Sequence, residues 1–157
     1  MFFRYLVSII CLVFFVVSPV GAEKKPVKPS ANDKCPVCGM FVAKFPDMLA
    51  EIIFNDATYA VFDGPKDMFR YFLNMKKYNP SKTVKDIDSI YVNEYYNVTP
   101  IDGRKAYYVI GSDVYGPMGR ELIPFLKEED ATAFIKDHRG KILRFGDITE
   151  AVLKELE

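Results

Sequence analysis

Apolar and polar residues are arranged along the first half of the chain in blocks that predict two strands, a helix and a further strand. Residues 48–54 and 58–62 are rich in β-branched and aromatic side chains and flank a short polar turn, which is typical of a hairpin. Pro65 then favours a helix start, because proline is preset for the first helical position. Residues 87–95 alternate as a half-buried strand does. The apolar residues that recur at helical spacing, and that should face the core, are Met68, Phe69, Phe72 and Met75.

The second half of the chain repeats this order of elements. The pattern predicts two strands, a helix and a short strand over residues 105–110, 121–126, 127–139 and 141–145. A loop over 111–120 joins the two strands, and Gly140 ends the helix. Asp147 and Glu150 predict the cap of a last helix that reaches Leu156.

The two halves correspond most clearly where each second strand leads into its helix. Residues 62–67 match residues 125–130 at a constant offset, with phenylalanine at the start and aspartate at the end of both segments. This repetition predicts an α+β fold of two similar ββαβ units that share one core. We place the units at about 48–99 and 104–157, within a domain that spans 35–157.

The N-terminus has the pattern of a secretory signal peptide over residues 1–22. One positive charge at Arg4 precedes an apolar run of about 13 residues, which is shorter than the roughly 20 that a spanning helix needs. Cleavage after Ala22 is our interpretation, and an uncleaved N-terminal anchor is the alternative. Cys11 lies inside the apolar run and is removed with the signal.

Residues 23–34 carry lysines and prolines without apolar periodicity and predict an extended linker. Half of all residues in the chain are hydrophobic, and the formal net charge of the chain is +0. A neutral chain lacks the basic footprint that phosphate binding needs, so we expect no nucleic acid partner.

Candidate chemistry is concentrated in residues 35–40, which read Cys-Pro-Val-Cys-Gly-Met. A thioredoxin-type redox pair would follow a strand and begin a helix, whereas a polar linker precedes this pair. Structural zinc requires four strong donors and would need His138 with a carboxylate, or a second molecule. Two thiols and a thioether suit Cu(I), because soft sulfur ligands select it over harder ions.

A second sulfur candidate, Met118, lies in the Gly/Pro turn of the second half. Nothing in the periodicity around residues 115–119 requires a buried methionine there. Met118 either faces a neighbouring metal site or fills a gap in the core, as flexible methionines often do.

Three segments together resemble the NosL family: Cys35–Met40, then Phe62 with Asp63, then residues 116–125, which include Gly-Pro-Met-Gly. The resemblance implies two ββαβ units and an extracytoplasmic Cu(I)-binding accessory protein of nitrous oxide reductase maturation. It also implies a ligand set of Met40 and Met118 with one or both of Cys35 and Cys38. Many family members are lipoproteins, but this chain has no cysteine at a credible lipid-attachment position.

The sequence therefore predicts a periplasmic Cu(I) chaperone rather than an enzyme. It would receive copper from an exporter or other donor and deliver it to nitrous oxide reductase or to the membrane complex that assembles it. Two alternatives stay open: a periplasmic thiol-disulfide protein that uses Cys35 and Cys38, and a general periplasmic copper-handling protein.

Overall fold

The structure is a computed structural model that describes residues 24–157. The predicted signal peptide over 1–22, its uncleaved-anchor alternative and Cys11 lie outside the described residues. Within residues 24–157, no helix is both long enough and apolar enough to cross a membrane.

The first half of the domain forms a four-stranded antiparallel sheet with its helices inserted between the second and third strands. The strands are β1 (Ala50–Phe54), β2 (Tyr59–Phe62), β3 (Ile87–Asn93) and β4 (Pro100–Asp102), and the helices are α1 (Pro65–Leu73) and α2 (Met75–Tyr78). The sheet order is β2-β1-β3-β4. Strands flank the central strand β1 on both edges, and all five of its residues are buried.

The second half forms a smaller antiparallel sheet of the same plan. Its elements are β5 (Tyr107–Ile110), β6 (Tyr115–Gly116), β7 (Gly119–Arg120), β8 (Ile123–Phe125), α3 (Glu128–His138), β9 (Lys141–Arg144) and α4 (Glu150–Lys154). The sheet order β8-β5-β9 matches β2-β1-β3, with the first strand of each unit in the centre. The duplicated ββαβ plan is confirmed. The segment predicted as a loop over 111–120 contains the small hairpin β6–β7.

The main hydrophobic core takes side chains from both halves. Phe69 of α1 packs edge-on against Tyr108 of β5, with ring centroids 5.2 Å apart. Met68 and Phe69 are fully buried, as the helical pattern predicted. A smaller cluster, which includes Phe125 and Phe134, lies between β8 and α3. The two units are therefore joined by one shared core and carry one satellite cluster.

The cap of the last helix differs from the sequence prediction. Thr149 has an extended backbone and its side chain accepts a hydrogen bond from the Val152 N–H at 3.5 Å, so it is the N-cap residue of α4. Asp147 instead accepts the Arg144 N–H at 2.8 Å in the preceding turn. The helix also ends at Lys154, before Leu156.

The predicted linker is held against the first sheet. The Lys24 N–H donates to Asp88 at 2.9 Å, and the Lys24 carbonyl accepts the Tyr91 hydroxyl at 2.8 Å. Farther along, the Val27 N–H donates to the Glu51 carboxylate at 2.8 Å. The linker segment is therefore attached to the first sheet at Lys24 and Val27, because a buried carboxylate on β1 requires a donor and this segment supplies it.

Candidate metal centre

The cysteine motif forms a closed loop at the start of the domain. Lys34 and Phe41 pair across the base of the loop in an antiparallel bridge. Inside it, the Cys35 N–H donates to the Met40 carbonyl and the Gly39 N–H donates to the Cys35 carbonyl, both at 2.9 Å. Gly39 has φ +80°, which side-chain-bearing residues rarely adopt, so the turn requires glycine. The loop brings the two cysteine thiols close together.

Burial has the largest effect on both sulfur atoms and opposes their ionisation, but the backbone amides of this loop act in the other direction. The amides of Cys38 and Val37 lower the pKa of Cys35, and the amide of Met40 lowers the pKa of Cys38. Hydrogen bonds to sulfur favour its charged form. The loop is thereby prepared to stabilise thiolates when a cation replaces the thiol protons.

Two aspartates, one just before α1 and one in its first turn, complete the pocket. The Cys38 thiol donates to Asp63 Oδ1 at 3.2 Å, and the Cys35 thiol donates to Asp67 Oδ2 at 3.4 Å. One ligand atom from each of these four residues lies within 4.8 Å of the other three. Asp63 is 1% exposed, and within residues 24–157 its Oδ2 has no hydrogen-bond partner. The other oxygen of Asp67 meets Arg70 Nη1 at 3.4 Å.

Both thiols are harder to ionise than ordinary cysteines. Burial, together with the neighbouring carboxylate of Asp63, raises the pKa of Cys38 to about 11. Burial raises the pKa of Cys35 by still more. Both thiols are therefore protonated at neutral pH in the metal-free protein, and a bound cation must displace their protons.

The donor set admits two kinds of metal ion. Two sulfurs and two carboxylates supply the four ligands that tetrahedral zinc requires. The two sulfurs with a thioether suit Cu(I). The expectation that zinc would depend on His138 is wrong, because His138 Nδ1 bonds Asp113 at 2.9 Å and its ring stacks on Phe134. The carboxylates that reach the cysteines belong to the first half of the chain.

The two predicted methionine ligands occupy different positions. Met40 is partly buried and closes the cysteine loop through its backbone. Met118 lies on the turn between β6 and β7 and is 41% exposed, which rules out a role as core filler. Its carbonyl accepts a hydrogen bond from Lys66 Nζ at 2.6 Å, and Lys66 directly precedes Asp67 in α1. The structure brings Cys35 and Cys38 together, while the roles of Met40 and Met118 as ligands stay predictions.

Asp63 and Asp67 were not among the predicted ligands. Asp63 lies just before the helix start and Asp67 lies in the first turn of α1. The available signal was negative charge near a helix N-terminus, which is favourable without any metal. Only the folded chain shows that the cysteine loop lies beside both carboxylates.

The fold and pocket define a small α+β protein of two repeats with a cysteine–carboxylate site of metal-ligand type. The chain belongs to the NosL family, whose model matches residues 26–153. It is 30% identical over 144 residues to the copper-binding lipoprotein NosL of Stutzerimonas stutzeri, which covers 87% of this chain and 72% of that protein. It is also 42% identical to the copper-binding lipoprotein NosL of Achromobacter cycloclastes over 50 residues. This match covers 31% of this chain and 26% of that protein.

The fold is also similar to that of a solved relative. The crystal structure of the copper chaperone NosL from Shewanella denitrificans superposes with a TM-score of 0.70 at 28% identity. The match covers 82% of this chain and 98% of that one. The family assignment therefore agrees at the level of both sequence and fold.

Proposed function

We propose that this protein is a periplasmic Cu(I) chaperone that binds one ion at Cys35 and Cys38, assisted by Met40 and Met118. The observation that carries the proposal is the convergence of both thiols in one pocket. The relatives named as a copper-binding lipoprotein and a copper chaperone support copper as the ion.

The exposure of the pocket suits transfer rather than permanent storage. Cys35 is buried in the core, whereas Cys38 is only partly buried and Met118 is exposed. An incoming ligand can therefore approach from the Cys38 side while Cys35 still holds the ion. Cu(I) tolerates low coordination numbers, so such an exchange does not require four ligands at every stage.

The proposed partners follow from this chemistry and from the family. Copper would come from a membrane exporter or another donor and pass to nitrous oxide reductase or to its membrane assembly complex. The predicted signal over residues 1–22 would place the protein on the periplasmic side, where these partners would be met.

A thiol-disulfide role is less consistent with the site. A reactive thiol needs a lowered pKa, commonly at a helix N-terminus, yet burial raises the pKa of both Cys35 and Cys38. The cysteines lie in a loop before the first sheet rather than at a helix start.

The test is Cu(I) transfer from the loaded protein to copper-free nitrous oxide reductase under anaerobic conditions. We expect faster gain of copper and of nitrous oxide reduction than from a small-molecule Cu(I) complex that buffers the same free copper concentration. Cys38→Ser should remove this advantage, and His138→Ala, remote from the pocket, should retain it. Equal rates from the protein and the complex would contradict delivery to this enzyme and leave general copper handling.

A further inference from the structure

A buried lysine connects the turn that carries Met118 to the helix that carries Asp67. Lys66 is 2% exposed, and its Nζ donates to the carbonyls of Met118 and Arg120, both at 2.6 Å. Its backbone N–H donates to the Glu121 carboxylate at 2.6 Å. Lys66 thus binds the β6–β7 hairpin at two points and the residue after it at a third.

Glu121 fixes the other side of this connection. Its Oε1 also accepts the Leu122 N–H at 2.9 Å, so the carboxylate is anchored from both halves of the chain. A Cβ added at Gly64 would lie 2.3 Å from Glu121 Oε2, and one at Gly116 would lie 2.9 Å from Glu121 Cγ. These distances leave no room for a side chain at either glycine. The hairpin is therefore seated tightly against the start of α1.

The hairpin depends on this contact for its position. Each of its strands has only two residues, and so short a ribbon is not stable alone in water. Burying a lysine is costly unless its amino group is well bonded, and an apolar side chain would fill the same space without that cost. The two carbonyl oxygens that accept its hydrogen bonds explain why residue 66 is a lysine rather than an apolar residue.

We propose that Lys66 is a positioning residue that holds the Met118 turn beside the cysteine pocket. The proposal rests on the proposed function, because it requires Met118 to be a copper ligand. The same stretch of α1 places Asp67 against Cys35 and, one residue earlier, places Lys66 against the Met118 carbonyl. A single helix start would then align the sulfur donors from the two halves of the chain.

The test is a double-mutant comparison of Cu(I) affinity, measured in competition with a chromophoric chelator. Lys66→Leu removes both carbonyl contacts without adding a sulfur, and Met118→Ala removes the thioether. We expect each single variant to weaken affinity about tenfold or more and the double variant to be no weaker than Met118→Ala. Lys66→Arg, which retains donors, should restore part of the loss. X-ray absorption should count one sulfur fewer at copper in Lys66→Leu than in the wild type.

A second variant covers the case in which Lys66→Leu does not fold. Gly116→Ala leaves the lysine intact and places a Cβ 2.9 Å from Glu121 Cγ, which displaces the carboxylate that accepts the Lys66 N–H. It should therefore weaken Cu(I) binding without adding to the effect of Met118→Ala. Gly146→Ala is the matched control, because a Cβ there meets nothing within 4 Å.

The positioning role alone would be overturned if folded Lys66→Leu and Gly116→Ala both bind Cu(I) with wild-type affinity. It would also be overturned if their losses add to that of Met118→Ala. Unchanged affinity in Met118→Ala would overturn it together with the proposed ligand set. Failure of the wild-type chain to bind Cu(I) would instead overturn the proposed function.

Discussion

Replacing Met118 by alanine should separate copper binding from stability. Because the side chain is 41% exposed, truncation removes only part of the 1.5–3 kcal/mol that full burial contributes, and we expect a loss of about 1 kcal/mol. No internal cavity is created at a turn. The Met118 carbonyl that Lys66 binds is backbone and is retained. If the thioether binds copper, Cu(I) affinity should fall tenfold or more, at about 1.4 kcal/mol per tenfold.

Met75→Ala provides the opposite pattern. Met75 is 5% exposed and belongs to the main core, so its truncation should lower the free energy of unfolding by about 2–5 kcal/mol. Its Cu(I) affinity should match the wild type as long as the variant is folded. Both quantities can be measured in one preparation of each variant, by denaturant unfolding and by competition with a chromophoric chelator.

Two results would refute this reasoning. Unchanged Cu(I) affinity in Met118→Ala would remove the second half of the chain from the metal site. If Cu(I) affinity falls in proportion to the loss of stability in both Met118→Ala and Met75→Ala, the two methionines affect copper binding only through folding.

Three further predictions concern the pocket and the first sheet. Oxidation of Cys35 and Cys38 to a disulfide should abolish Cu(I) binding without unfolding the domain, because the closed loop is very small; loss of cooperative thermal unfolding after reduction would contradict this. Asp63→Asn combined with Asp67→Asn should eliminate zinc binding. Cu(I) affinity should change by no more than about 100-fold, which is the range for groups that contact the ligands without binding the metal. A larger loss in the chelator competition would show that the two aspartates bind Cu(I) directly. Burial raises the pKa of Glu51 to about 7 from 4.5, so the folded state binds this proton more tightly and the free energy of unfolding should fall as pH rises from 4.5 to 7. Glu51→Gln should remove this part of the pH dependence of the free energy of unfolding. In urea unfolding at pH 8 the variant should be more stable than the wild type by on the order of 2 kcal/mol. The same pH dependence in both proteins would contradict this prediction.

Much of the fold could be predicted from local pattern. The central strands β1 and β5 and the helices that follow Phe62 and Phe125 were found from periodicity and from Pro65, because these segments combine strong patterns with clear turn signals. The repeat was visible for the same reason. The two sheets have the same strand order as a consequence of the repeat, with the first strand of each unit in the centre.

Other features depend on contacts that one sequence does not display. Strand β4 and the strands of the β6–β7 hairpin are too short to carry a period, and they are defined by their backbone pairing rather than by a side-chain pattern. The docking of residues 24–34 depends on buried Glu51 and on Asp88, which local composition cannot connect to a lysine-rich segment.

The candidate site was predicted only in part. The spacing of Cys35 and Cys38 indicated a soft metal site, and both thiols do converge. The contribution of Asp63 and Asp67 needs the packing of α1 against the cysteine loop, which no local signal encodes. The connection from Lys66 to the Met118 turn likewise arises only from packing between the two units.

The central claim is that the reduced Cys35–Cys38 pocket is a Cu(I) site, and a competition titration tests it most directly. Reduced, anaerobic protein is titrated with Cu(I) against a chromophoric chelator, first alone and then after saturation with Zn(II). The account predicts one Cu(I) per chain, displacement of any bound zinc, and loss of binding in Cys35→Ser with Cys38→Ser. Stoichiometric zinc that Cu(I) does not displace, or Cu(I) binding that survives loss of both cysteines, would contradict it.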